Sequence, residues 1–184
     1  MIHHDGCGPE YTEATVQAAV AGCRERGIEH LVVASTKGGT ARLAHEAVKD
    51  TDIKLIVVTH NTGFGEEGRQ SFPEELRQEL EAEGTRVHTA TMVFRSLGRA
   101  IRDLTGGDQE MLTASALRVL GEGTKVVAEI AMMAADAGLV PPDDVVCVAG
   151  TGRGADTAAV VRAVSSNKFF DLRIRAYLAK PYKF

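Results

Sequence analysis

Hydroxyls, glycines and a lysine crowd into Ser35-Thr36-Lys37-Gly38-Gly39-Thr40, directly after the apolar run His30-Leu31-Val32-Val33-Ala34. A second such segment, Gly150-Thr151-Gly152-Arg153-Gly154-Ala155-Asp156-Thr157, follows Val145-Val146-Cys147-Val148-Ala149. The chemistry that these residue types share is anion binding. Glycines let backbone N–H groups approach a ligand, hydroxyls donate hydrogen bonds, and Lys37 and Arg153 bring charge. Arg153 has the fork that pairs bidentately with phosphate or carboxylate. Each segment reads as a strand ending in a tight turn that opens a helix. A helix N-terminus presents unpaired N–H groups to an anion. Two such loops predict a ligand with phosphate at one point and further polar groups at another.

Neither loop carries a complete nucleotide fingerprint. The first lacks the G-x-x-x-x-G-K-[ST] order of a P-loop. The second matches G-x-G-x-x-A through Gly150, Gly152 and Ala155, but a dinucleotide fingerprint belongs in the first βα unit and this match lies late in the chain. The plain alternative is a pair of turns in which Thr40 caps one helix and Asp156 or Thr157 caps the next.

A third polar turn, Thr59-His60-Asn61-Thr62-Gly63-Phe64-Gly65, is long enough to reach over a site. In it, Thr59, His60, Gly63 and Phe64 are candidate ligand contacts. His60 suits acid–base work or a loop bond to backbone, and Phe64 suits stacking on a planar ring or filling the core. Glu129 and Asp136 lie seven residues apart, roughly 10 Å along a helix, too far to grip one metal ion. Glu129 is expected to pair with Lys125 or to satisfy a buried loop backbone. His3, His4, Asp5 and Cys7 have metal-ligand chemistry without a recognised spacing, in a segment expected to be mobile, and no metal site is assigned. Cys147, inside an apolar run, reads as core.

The elements that must hold these residues follow from periodicity. Val16, Ala19, Val20 and Cys23 mark a helix over 12–26, with Thr12 as N-cap and Gly27 as its stop. Strands are expected at 29–34, 53–58, around Val87, and at 144–149. Helices are expected at 40–49, from Pro73 to Gly84, at 95–104 and 109–120, and over the almost wholly apolar 124–137. Residues 172–179 alternate as an edge strand would. Strands alternating with helices predict a three-layer α/β fold, a doubly wound, mostly parallel sheet of about five strands, in one domain over 1–184. If strands 29–34 and 144–149 are neighbours, the two loops face one crevice at the carboxyl edge of the sheet.

The net charge of −4 argues against a general nucleic-acid binder. No apolar stretch is long enough to cross a bilayer, and the first residues lack the basic and apolar regions of a signal peptide. Three scattered cysteines do not make a disulfide framework, so a reducing cytoplasm is expected. A homo-oligomer is compatible with this composition.

The chain also resembles the stand-alone relatives of the pyruvate kinase C-terminal domain. The resemblance rests on Gly27-Ile28, Val32–Thr36, Gly39-Thr40-Ala41, Val58-Thr59-His60 with Gly63-Phe64, and Leu117-Arg118 with Gly121 and Gly123. Lys125-Val126, Glu129–Ala131, Met133–Gly138 and Gly150–Ala158 complete it. It implies a five-stranded doubly wound sheet and a regulatory rather than catalytic ancestry. Pyruvate kinase performs its chemistry in a separate barrel that these residues do not encode, so that activity is not expected. In the full enzyme the first loop holds the phosphate of a sugar-phosphate effector and a late glycine-rich loop closes over it. Ser35, Thr36, Gly38, Gly39 and Thr40 match the first loop, and Gly152, Gly154 and Thr157 approximately match the second. Stand-alone members resemble binders of flavin mononucleotide (FMN). The expected function is therefore binding of a phosphorylated small molecule, FMN above others, between the two loops. The alternatives are a flavin-dependent or phosphoryl-handling enzyme using His60 and Arg153, and a regulatory or scaffolding module without ligand.

Overall fold

The computed structural model describes residues 1–184. One seven-stranded sheet runs through it, built from β1 (Ile2–His4), β2 (His30–Ala34), β3 (Lys54–Val58), β4 (Arg86–His88), β5 (Asp144–Ala149), β6 (Thr157–Arg162) and β7 (Arg173–Pro181). The strand order is β1-β7-β6-β5-β2-β3-β4. Helices α1 (Thr12–Arg26), α2 (Gly39–Val48), α3 (Glu74–Ala82), α4 (Ser96–Thr105), α5 (Gln109–Arg118) and α6 (Glu122–Asp136) flank it. No helix is long and apolar enough to cross a membrane.

The three layers follow from the alternation of side chains along the strands. Leu31, Val33, Leu55, Val57, Val146 and Val148 pack against α1, α2 and α3 on one face. Val32, Ile56, Val58, Val145 and Cys147 pack against α6 on the other. Helix α5 backs α6 through Ala114, Ala128 and Met132, one layer further out. Strands buried on both faces read as continuous Val/Ile/Leu runs, as β2, β3 and β5 do. On α1, Val16, Ala19, Val20 and Cys23 are all buried. Gly27 ends that helix in the left-handed region at φ 64°, where its N–H bonds back to the last turn.

Four expectations need correction. The sheet has seven strands rather than about five; it is mostly parallel, as expected, with β6 alone running antiparallel to its neighbours β5 and β7. The segment Gly150–Thr157 opens no helix; it turns back into β6, from Ala149 opposite Thr157. The tail strand is interior, because β1 pairs with β7 and takes the edge. That pairing orders the first residues, and His4 lies buried with Nε2 at 2.9 Å from Thr15 Oγ1. Finally, Tyr11 rather than Thr12 caps α1, and the Thr12 hydroxyl accepts the Ala155 amide at 3.0 Å.

Candidate functional site

Strands β2 and β5 are parallel neighbours, with Leu31 beside Val146, Val32 beside Cys147 and Val33 beside Val148. From β2 the chain crosses to β3 on one side, while β5 lies on the other. This is the switch point of the sheet, where crevices open at the carboxyl ends of strands. The two glycine-rich loops therefore line one cavity, of about 1010 Å³. That is the upper end of the ~300–1,000 Å³ span usual for small-molecule sites.

The first loop is an N-terminal helix cradle. Gly38 sits at φ 92° as the N-cap of α2, a conformation that favours glycine. A Cβ there would meet Leu76 Cδ2 at 2.2 Å, so Gly38 is buried against α3 and does not line the cavity. The Ser35 hydroxyl accepts the Ala41 amide at 3.3 Å, and the Arg42 amide bonds to the Gly38 carbonyl at 2.9 Å. The Gly39 and Thr40 amides have no acceptor in the protein, as the first turn of a helix requires. Nothing lies within 4 Å of a Cβ built on Gly39. Thr36, Lys37 and Thr40 line the cavity beside them.

The second loop is packed at its two ends and open at its middle, where Thr151, Gly152 and Arg153 are exposed. A Cβ on Gly150 would meet the Gly154 carbonyl oxygen at 2.2 Å, and one on Gly154, at φ 131°, would meet Pro9 Cα at 2.5 Å. Gly150, Thr151, Gly152, Arg153 and Gly154 still line the cavity. Asp156 and Thr157 do not: both are buried, with the Thr157 hydroxyl donating to Asp156 Oδ1 at 2.8 Å. With no helix after this loop, neither residue is a helix cap. Burial pushes the Asp156 carboxyl above the usual carboxylate range, against the opposing effect of the Thr157 bond.

The third turn closes one side. Thr59, His60 and Phe64 line the cavity, whereas Gly63 stays outside it. The Phe64 ring stacks on His60 with centroids 3.8 Å apart, and the Arg95 guanidinium lies 4.2 Å over its other face. Phe64 thus stacks on a protein ring and also packs, half-buried, against the core on the α6 face of the sheet. Burial holds the His60 imidazole below the ordinary histidine range, opposed by Glu129 and reinforced by Arg95 and Lys125. Its Nδ1 is buried and has no hydrogen-bond partner.

Both readings of Glu129 hold at once. It pairs with Lys125 at 2.5 Å and accepts the Phe94 amide at 2.9 Å, in the floor of the cavity. Asp136 accepts the Ser166 amide at 2.8 Å, far from the site. Cys147 is fully buried, and burial drives its thiol up.

Thirteen of the seventeen residues expected at the site line one cavity, all but Gly38, Gly63, Asp156 and Thr157. Sequence reasoning missed other residues of the lining: Arg95 at the N-cap of α4, Arg99 and Arg102 within it, and Arg118 and Glu122 at the α5–α6 turn. The spacing of Arg95, Arg99 and Arg102, four and then three residues, was the available signal, since it places all three on one helix face.

The chain itself falls within a known class of domain. The "Pyruvate kinase, alpha/beta domain" family profile matches residues 13–161, and the chain belongs to that family. Among solved structures, it is similar to a pyruvate kinase from Cryptosporidium parvum at 16% identity and TM-score 0.45, covering 83% of this chain and 22% of that one. A second structure of the Cryptosporidium parvum enzyme gives 15% identity, TM-score 0.42 and the same coverage. A third, a complex with ADP, gives 16%, 0.45, and 83% and 23% coverage. The chain therefore spans less than a quarter of the length of the enzymes that it matches.

Proposed function

We propose that the cavity binds a phosphorylated small molecule, with its phosphate on the Ser35–Thr40 loop and FMN as the ligand class. One observation carries this reading. The unpartnered Gly39 and Thr40 amides, the Thr36 and Thr40 hydroxyls and Lys37 all border one large cavity. A phosphate there takes helix-end hydrogen bonds and the positive end of the α2 dipole. Met92, Ile130 and Met133 give the rest of the cavity an apolar wall suited to a planar ring. The test is the visible spectrum and mass spectrum of freshly purified protein, followed by FMN titration with a thermal melt. Bound or added FMN raises Tm, and Thr36→Val/Thr40→Val weakens it at least ~10-fold, as lost hydrogen bonds to a charged group do. A colourless protein that gains no stability from FMN would refute the flavin assignment.

His60 supports a second reading, an enzyme. His60 lines the cavity, and burial holds its imidazole below the ordinary histidine range, which favours the unprotonated form that a general base uses. Redox or phosphoryl-handling turnover would then be lost in His60→Ala while ligand binding persists. Equal turnover in the variant would exclude it.

A further inference from the structure

The floor of the cavity is shut off from water. Lys125, Glu129, Ile130 and Met133 all line it, yet each is buried. A molecule that reaches them must displace part of the wall. The lightly held part of that wall is α4, which brings Arg99 and Arg102 to the lining, with Arg95 at its N-cap.

The only buried residue of α4 is Gly98, whereas α6 buries eleven. Leu97, Ile101 and Leu104 are exposed, so melting the helix surrenders no apolar burial there. Gly98 sits against the polar start of α5: a Cβ on it would meet the Glu110 carboxylate at 2.7 Å and Asp108 Oδ1 at 3.0 Å. Ten residues are too few for a helix to persist in water unaided. The first turn has no acidic residue, and Arg95 and Arg99 stand at that positive end of the dipole, where cations are disfavoured.

The ties that keep α4 in place are few. The Ser96 hydroxyl accepts the Met92 amide at 2.9 Å, and Arg99 pairs with Asp103 at 2.6 Å. Arg102 lies 3.9 Å from Asp108, beyond hydrogen-bond reach. The tie to the third turn is Arg95, whose guanidinium covers the face of Phe64 that His60 leaves free. On either side the chain is anchored: Phe94 is buried with its amide held by Glu129, and Asp108 caps α5. Opening is therefore confined to the residues between them.

We propose that α4 is a gate, which opens by local unfolding of residues 95–107 and is latched shut by Arg95 on Phe64. Opening withdraws Arg95, Arg99 and Arg102 from the wall and admits a molecule to the buried floor of the cavity. The inference requires no particular ligand and stands apart from the phosphate reading.

Native-state hydrogen exchange on the full chain, in a urea series, tests it. Amides of residues 99–106 exchange at least ~100-fold faster than those of α6, with a much shallower urea dependence, because local opening exposes little surface. Phe64→Leu and Arg95→Gln each speed that exchange about 2–5-fold, the worth of an exposed cation–π contact, and leave α6 unchanged. Leu97→Glu slows it about 2–5-fold by placing negative charge in the first turn. Access to the floor is read from Met133→Cys in a Cys7→Ser background, since Cys23 and Cys147 are buried. A thiol reagent labels that position at a rate that follows α4 exchange through all three substitutions. The gate is refuted if α4 exchanges only with the urea dependence of α6, if any of the three substitutions leaves α4 exchange unmoved, or if labelling follows α6 instead. The wild-type urea series decides the question even where a variant fails to fold.

Discussion

The two glycine-rich loops begin alike and end differently. Both leave the carboxyl ends of adjacent parallel strands, β2 and β5, and both border the same cavity. After Gly39-Thr40 the chain continues into α2, whose buried Ala41, Ala44, His45 and Val48 keep a helical spacing. After Asp156 it enters β6, antiparallel to β5, with every residue from Thr157 to Val161 buried. The first loop leaves the Gly39 and Thr40 amides unpartnered, whereas in the second Gly150 packs on Gly154 and Gly154 on Pro9 and Thr12. One set of residue types leaves helix-end amides unpartnered in one place and packs backbone against backbone in the other.

Substitutions separate these roles. The largest effect is expected at Gly154, where Ala would need φ 131° and would push a Cβ against the backbone of Pro9. Gly154→Ala should cost about 2–4 kcal/mol in denaturant unfolding. Thr12→Val comes next: it strands the buried Ala155 amide, for about 1–3 kcal/mol.

Asp156→Asn is the third. Because burial raises the carboxyl's folded pKa, the stability tied to its protonated form is present below the ordinary Asp range and is lost as pH rises through the folded pKa. The amide cannot ionise, so the Tm of the variant should gain on wild type between pH 4 and pH 8. A constant difference across that range would show that Asp156 is not held by burial.

Gly39→Ala should have the smallest effect on stability, within ~1 kcal/mol, because its Cβ meets nothing in the protein. It should nonetheless weaken a phosphate ligand, since that Cβ enters the cavity. A Gly39 variant that unfolds, or a Gly154 variant that folds normally, would erase the contrast between the loops.

Much of this was legible in the residues. Val16, Ala19, Val20 and Cys23 mark α1, and the valine runs mark β2, β3 and β5, because burial follows local period. The strand β6 was not legible. Its entry copies the glycine pattern of the first loop, and Ala158-Ala159 suits a helix as well as a strand. What decides it is pairing with β5 and β7, which is non-local. The three-residue β1 is too short for any periodicity and exists through its partner β7. The basic face of α4 could be read from spacing, but its direction could not. A free-standing helix would turn Leu97, Ile101 and Leu104 inward.

The most direct test of the phosphate seat is the ratio of FMN to riboflavin affinity in wild type and in Thr36→Val/Thr40→Val, by calorimetry at one salt concentration. The two ligands differ only in the phosphate. Wild type should bind FMN at least ~10-fold tighter than riboflavin, and the variant should lose most of that ratio. Equal affinities in wild type, or a ratio untouched in the variant, would contradict the placement of phosphate on the Ser35–Thr40 loop.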